Sequence, residues 1–147
     1  MTAETGQKIS VLIVEDEMMV AMHLAMVVRN LGHDVVGIAV DQSHALTFAD
    51  KNPDLALVDN SLRDGQTGPL IAQQLIQNAH THVIFVTANP ARVRDASPQH
   101  PAILGVCPKP VNDNDIQQLL SYAADMRRSG GHVAGGHVAP PPSLHPL

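Results

Sequence analysis

Charged and hydroxyl side chains stand at the ends of four apolar runs in this 147-residue sequence. Glu15 and Asp16 follow "ISVLIV", Asp59 ends "LALVD", Thr87 ends "VIFVT", and Lys109 comes shortly after "AILGV". Carboxylates bind hard cations such as Mg²⁺, while an ammonium group and a hydroxyl group donate hydrogen bonds to anions. A carboxylate, a cation, an ammonium and a hydroxyl together form a sufficient set for phosphoryl transfer to a carboxylate.

Five helices and five strands are predicted to position these side chains. The apolar runs, rich in β-branched residues, predict buried strands at 9–14, 34–40, 54–59, 81–87 and 102–106. Apolar residues at helical spacing follow the strands. Asp41 and Asn112 are the expected N-caps of the second and last helices. Prolines after the fourth strand leave room for only a short fourth helix. This alternation predicts an α/β fold with a doubly wound parallel sheet covered by helices on both faces.

The carboxyl ends of the strands are the expected place for a site, because ligands of open α/β sheets bind there. If the first and third strands are neighbours, Glu15, Asp16 and Asp59 converge, and their mutual repulsion is relieved by a divalent cation. Asp59 is then the candidate nucleophile, with Glu15 and Asp16 placed to hold metal. Asp34 and Asp54 begin their strands and are expected at the opposite rim.

Each of these residues also has a simpler interpretation. Asp59 could cap a turn, Glu15 and Asp16 could complement the dipole of the helix that follows them, and Lys109 could be a solvated surface lysine. The methionines of the first helix, at positions 18, 19, 22 and 26, could fill the core or form a docking surface.

Composition narrows the classes of function. The net charge of −5 and the shortage of aromatic residues, two Phe, one Tyr and no Trp, argue against direct nucleic-acid binding. No apolar run approaches the roughly 18 residues of a membrane span, so membrane insertion is not expected. With a lone Cys107 and no apolar leader after Met1, a cytoplasmic location is expected.

The chain is expected to divide near residue 128. Residues 8–128 carry the predicted elements, and residues 129–147 are rich in Gly, His and Pro with a duplicated "GGHVA". Such a segment has little apolar surface to offset its ordering entropy, so 129–147 is interpreted as a disordered tail.

Four motifs in order resemble the receiver domain of two-component response regulators: "VEDE" at 14–17, "LVDNSLRDGQTG" at 57–68, "FVTA" at 85–88 and "PKPV" at 108–111. The resemblance covers about residues 8–127. It implies a flavodoxin-like five-stranded sheet in the order 2-1-3-4-5 and a cis Lys109–Pro110 bond.

The resemblance also implies the roles of the site residues. Asp59 would accept a phosphoryl group from a histidine kinase or a histidine phosphotransfer protein. Mg²⁺ would be held by Asp16, Asp59 and the backbone carbonyl of Ser61, with Glu15 acting directly or through water. Thr87 and Lys109 would bind the phosphoryl oxygens, so the chain would be a phosphorylation-switched signalling protein of a phosphorelay rather than an enzyme.

One position departs from the family pattern. Receivers usually carry Tyr or Phe three residues before the lysine, and Val106 stands there. The chain therefore resembles an atypical subgroup that lacks the aromatic switch residue. The sequence fits either a single-domain response regulator or the first domain of a longer regulator. It leaves undecided whether the chain forms a homodimer and which protein it binds downstream.

Two other classes of function remain as alternatives. The first is a Mg²⁺-dependent phosphohydrolase with Asp59 as nucleophile. Such enzymes usually need a second acid two residues later, where this sequence has Ser61. The second is a phosphorylation-independent interaction module.

Overall fold

The computed structural model describes residues 8–97, 99–128 and 139–147. It contains five strands and five α-helices in strict alternation, with one 3₁₀ turn after the second helix. The elements are β1 (Ser10–Val14), α1 (Met18–Asn30), β2 (Asp34–Ala39), α2 (Gln42–Thr47), the turn Ala49–Lys51, β3 (Leu55–Val58), α3 (Gly68–Ala79), β4 (His82–Thr87), α4 (Pro90–Ala96), β5 (Ile103–Pro108) and α5 (Asp113–Arg128).

The five strands form one parallel sheet in the order β2-β1-β3-β4-β5. This confirms the predicted fold class and strand order. β3 lies at the centre and is buried at all four positions, as expected for a short apolar strand covered on both faces. None of the helices in the described part of the chain has the length and hydropathy needed to span a bilayer.

Two apolar layers hold the helices on the sheet. Successive side chains of a strand point to opposite faces, so Val11 and Ile13 of β1 pack in a cluster with α1 and α5, whereas Leu12 and Val14 pack in a cluster with α3. Phe85 of β4 is fully buried in the second cluster. The core is otherwise almost wholly aliphatic, as the composition indicates.

The helix starts follow the expected capping chemistry. The Asp41 side chain accepts a hydrogen bond from the His44 backbone N–H (2.9 Å) and caps α2. At α5 the bonds are reciprocal: the Asp115 N–H donates to Asn112 Oδ1 (2.8 Å) and the Asn112 N–H donates to Asp115 Oδ2 (3.2 Å). Both predicted N-caps are confirmed.

The C-terminal residues differ from the expectation of a disordered tail. Residues 139–147 are described, and His145 forms an antiparallel bridge with Val106 of β5. The physical reason is local: Leu144 is buried in the α1–α5 cluster and Leu147 packs against the other cluster. Residues 129–138 of the predicted tail lie outside the described residues, and the domain boundary at residue 128 stays a prediction.

Candidate functional site

Three carboxylates meet at the carboxyl edge of the sheet. Glu15 and Asp16 follow β1, Asp59 follows β3, and one carboxylate oxygen from each lies within 4.8 Å of the others. The convergence follows from the pairing of β1 with β3, in which Val14 lies opposite Val58. The backbone fixes these positions: Glu15 N–H donates to Ala39 O (2.8 Å) and Asp59 N–H to Val14 O (2.9 Å).

Lys109 supplies the positive charge of this cluster. Its Nζ lies 2.6 Å from Glu15 Oε1 and 3.0 Å from Asp59 Oδ2, so one ammonium group bridges carboxylates from two strands. The Glu15 side chain is only 2% exposed and that of Asp59 is 10% exposed. Charges so well shielded from water interact strongly, and their partners matter accordingly.

The electrostatics reflect this crowding. Burial raises the pKa of Glu15, and the nearby Asp59 charge adds to the effect, while the Lys109 ammonium and the Glu17 backbone N–H oppose it. Burial acts to lower the pKa of Lys109, but its hydrogen bonds to Glu15 and Asp59 outweigh burial and leave that pKa above its usual value. Three acids share one ammonium, so the site retains an excess of negative charge.

The donor set fits a hard divalent cation. All three acidic residues offer carboxylate oxygens, the ligands that Mg²⁺ prefers, and the exposed Asp16 leaves one side of the cluster open to solvent. The structure places Ser61 two residues beyond Asp59 at an exposed position. Its carbonyl as a metal ligand stays a prediction.

Thr87 lies on the neighbouring strand, at the end of β4. It is buried, and its hydroxyl oxygen accepts a hydrogen bond from the Asn89 backbone N–H (3.1 Å). Its carbonyl accepts from the Lys109 N–H (2.8 Å), which ties β4 to the segment that carries the ammonium group. The Lys109–Pro110 bond is cis, as the resemblance implies. Thr87 and Lys109 are therefore linked through the backbone.

Gly68 is a contributor that the sequence analysis missed. It lies at the start of α3, and a Cβ at this position would collide with the Asp59 carbonyl and come 2.7 Å from Asn60 Cα. The Gly68 N–H also donates to Asn60 O (3.2 Å). Only a glycine lets α3 begin directly beneath the backbone of Asp59. Its signals in the sequence are its place at the end of the motif "LVDNSLRDGQTG" and its position just before Pro69, where a helix is expected to start.

The first helix presents its methionines to solvent. Met18, Met19, Met22 and Met26 are all exposed, Met19 by 84%. Met19 shares a depression with Val20, Lys109 and Pro110, so this apolar surface reaches the edge of the acidic cluster. Of the two interpretations of these methionines, the structure favours a surface.

The opposite rim carries the other aspartates, as predicted. Asp54 Oδ2 accepts from the Ser10 backbone N–H (2.9 Å), and Asp54 Oδ1 pairs with Arg127 (3.2 Å) at the amino ends of the strands. Asp34 pairs with Lys8 (3.3 Å). These acids have structural partners and take no part in the cluster around Asp59.

Comparisons of sequence and of structure with known proteins both support the resemblance to response regulator receiver domains. The sequence profile of the response regulator receiver domain matches residues 11–121. The Phyllosphere-induced regulator PhyR of Methylorubrum extorquens is 37% identical over 128 residues, which are 84% of this chain and 48% of that protein. This chain therefore spans about half the length of that relative.

Solved structures agree with this relationship. The response regulator PhyR from Brucella abortus superposes with a TM-score of 0.74 at 31% identity, covering 85% of this chain and 51% of that one. The receiver domain of PhyR from Erythrobacter litoralis gives a TM-score of 0.67 at 27% identity and covers 89% and 97%. The chain belongs to the response regulator receiver family and is homologous to regulators of the PhyR type.

Proposed function

We propose that this chain accepts a phosphoryl group on Asp59 from a phosphohistidine donor, in a Mg²⁺-dependent reaction, and that the modification changes its binding to partner proteins. Membership of a family of phosphorylation-switched signalling domains supports a role in signalling. The observation that carries the proposed phosphoryl transfer to Asp59 is the Lys109 ammonium group, which bridges Asp59 and Glu15 within a cluster of three carboxylates.

The residues divide the chemical work in this proposal. An Asp59 carboxylate oxygen attacks phosphorus, the bond between phosphorus and the donor imidazole nitrogen breaks, and that nitrogen retains the electron pair. Glu15, Asp16, Asp59 and the Ser61 carbonyl would hold Mg²⁺, which when bound neutralises charge on the phosphoryl oxygens. Self-catalysed loss of the group from Asp59 belongs to the same proposal.

Thr87 and Lys109 would receive the phosphoryl oxygens. The Thr87 hydroxyl oxygen already accepts a hydrogen bond from Asn89, so its own proton is left to donate to an anion. The Lys109 ammonium group donates hydrogen bonds to two carboxylates, and one of these N–H groups can instead donate to a phosphoryl oxygen on Asp59. The phosphoryl group would thus create new hydrogen bonds to β4 and to the segment after β5.

A histidine kinase or a histidine phosphotransfer protein is the proposed donor. The exposed methionines of α1 offer it an adaptable apolar surface directly beside the cluster. A cytoplasmic location is part of the same proposal. The anti-anti-sigma factor PhyR from Bartonella quintana has a solved structure whose chain is 33% identical to this one. A protein partner downstream, rather than nucleic acid, is accordingly proposed here as well.

The test is phosphorylation by acetyl phosphate with Mg²⁺, followed by intact mass measurement. We expect the wild type to gain one phosphoryl group that hydroxylamine removes, and Asp59→Asn to gain none. Asp34→Asn is the matched control, because Asp34 lies at the opposite rim, and it should be modified like the wild type. Absence of an adduct on the wild type would overturn the proposal, and repeated turnover of phosphomonoesters would favour a phosphohydrolase.

A further inference from the structure

The last residues of the chain add a short antiparallel pairing to an otherwise parallel sheet. The His145 N–H donates to Val106 O (2.9 Å), and the Val106 N–H donates to His145 O (2.8 Å). β5 is one of the two edge strands of the sheet, so its outer row of N–H and C=O groups would otherwise lack a strand partner. This C-terminal segment, residues 139–147, partly covers that edge.

Two leucines anchor the C-terminal segment on opposite faces of the sheet. Leu144 is 5% exposed and lies in the cluster formed with α1 and α5, whereas Leu147 packs against the cluster formed with α3. Between them, His145 and Pro146 are exposed. The segment therefore straddles the edge, with one aliphatic side chain in each apolar layer and a backbone pairing between them.

β5 is shaped to accept this close approach. Gly105 has φ +151°, and a Cβ at this position would come 2.5 Å from His145 O and 2.9 Å from the Leu144 side chain. The absence of a side chain thus makes room for an added strand. The thiol of Cys107, one residue beyond Val106, is buried, and burial raises its pKa to about 11.

The attachment of the C-terminal segment is limited in extent. Its contacts include a single bridge, the two leucines and a side-chain contact of Ser143 with the Cys107 thiol. The side-chain hydrogen bonds from Arg94 Nε to Pro146 O (3.4 Å) and from Gln99 Nε2 to Leu147 O (3.3 Å) are long and exposed. A segment with few buried contacts detaches at a free-energy cost that is a small fraction of the free energy of global unfolding. An equivalent strand from another molecule could make the same contacts once the segment leaves.

We propose that the edge of β5 is a strand-accepting interaction surface whose partner is an extended protein segment with two aliphatic side chains three residues apart, and that residues 144–147 of this chain occupy it in cis. The spacing of Leu144 and Leu147 defines the partner's pattern, and Val106 supplies the backbone pairing. Strand addition of this kind takes affinity from main-chain bonds and specificity from side-chain pockets. The proposal does not depend on phosphorylation of Asp59.

The test uses the full chain and a fluorescent peptide with the sequence of residues 139–147. In the double variant Leu144→Ala/His145→Pro, one anchor and the His145 N–H donor are lost, so the cis segment should leave the edge. A tethered segment competes at an effective concentration on the order of millimolar. We therefore expect the peptide to bind the double variant at least about tenfold more tightly than the wild type.

Two controls and a second measurement accompany the peptide titration. Pro142→Ala changes an exposed residue of the same segment and should behave as the wild type. A peptide carrying the two substitutions should not bind. Cys107 is the sole cysteine, so its modification rate reports exposure of the edge; it should rise about tenfold in the double variant and fall again when the peptide is added.

The outcomes separate the proposal from its alternatives. Equal binding to wild type and double variant, or no binding to a folded double variant, would overturn it. Wild-type dimers that exchange their C-terminal segments would overturn the cis arrangement. If the double variant fails to fold, Leu147→Ala alters only a partly buried anchor, and unchanged peptide binding and Cys107 reactivity in that variant would count against the proposal as well.

Discussion

Lys109→Gln tests how strongly one ammonium group stabilises the acidic cluster. At an effective dielectric constant of about 20, charges 2.6 Å and 3.0 Å apart attract by roughly 6 and 5 kcal/mol, and carboxylate oxygens that lie within 4.8 Å of each other repel by at least about 3 kcal/mol. Desolvation of the ions offsets most of the attraction, but removal of Lys109 leaves the repulsion. We expect a loss of about 2–4 kcal/mol in the free energy of unfolding near pH 8.

The pH dependence of that loss follows from Glu15. Burial already raises its pKa, and removal of Lys109 takes away the largest opposing effect, so the pKa rises further. A carboxyl group whose pKa is higher in the folded state binds more protons there than when unfolded, and its stabilising contribution is lost as pH rises through the folded-state pKa. The deficit of Lys109→Gln should therefore shrink between about pH 8 and pH 5, and Mg²⁺ should also reduce it near pH 8 by supplying positive charge.

Urea unfolding at both pH values, with and without Mg²⁺, measures these effects. Lys8→Gln is the matched control, because Lys8 pairs with Asp34 at 3.3 Å while both side chains are more than 60% exposed. Such a pair should contribute less than about 1 kcal/mol. The reasoning fails if Lys109→Gln loses no more stability than Lys8→Gln, or if its deficit is the same at both pH values.

Three further predictions concern Gly68, Asp16 and the half-buried His33. Gly68→Ala should lower the free energy of unfolding by about 1–3 kcal/mol, because its Cβ collides with the Asp59 backbone; urea unfolding against exposed Gln66→Ala checks this, and equal stability contradicts it. Mg²⁺ should raise the melting temperature of the wild type more than that of Asp16→Asn in a thermal shift assay, and equal shifts would remove Asp16 from the metal site. Burial lowers the pKa of His33, whose Nδ1 accepts a hydrogen bond from the Ile9 N–H (3.1 Å). The wild type should therefore lose stability as pH falls from the ordinary histidine pKa of about 6.5 to the lower folded-state pKa. His33→Asn should weaken that dependence when urea unfolding is compared at about pH 7.5 and pH 5.5, and an unchanged slope would assign it to other groups.

The order of elements was predictable because two periodicities alternate along the chain. Apolar runs of four to six residues mark strands, recurring apolar positions mark helices, and Asp41 and Asn112 mark two helix starts. Side chains at the carboxyl ends of neighbouring parallel strands must share one edge, so the meeting of Glu15, Asp16 and Asp59 follows from chain order and strand pairing.

Contacts between residues far apart in sequence were not predictable in the same way. Lys109 lies 94 residues from Glu15, and nothing in local sequence indicates that its ammonium binds Glu15 more closely than Asp59. The role of Gly68 depends on how near the backbone of Asp59 passes, which is a property of packing. The periodicity of a sequence predicts single helices and strands, whereas the contacts of Lys109 and Gly68 depend on how two elements pack against each other.

The C-terminal segment shows the limit of composition as a guide. Over residues 129–147 the mean composition favours disorder, but Leu144 and Leu147 pack on the two apolar clusters and His145 pairs with Val106 at the edge of β5, where Gly105 leaves room. Val106, which pairs with His145, lies on the strand that leads to Lys109 and is opposite Phe85 of β4, two residues before Thr87. The bridge with His145 therefore lies three residues before Lys109 along the chain and, across the β4–β5 pairing, two residues from the position of Thr87, and Val106 supplies no aromatic ring there.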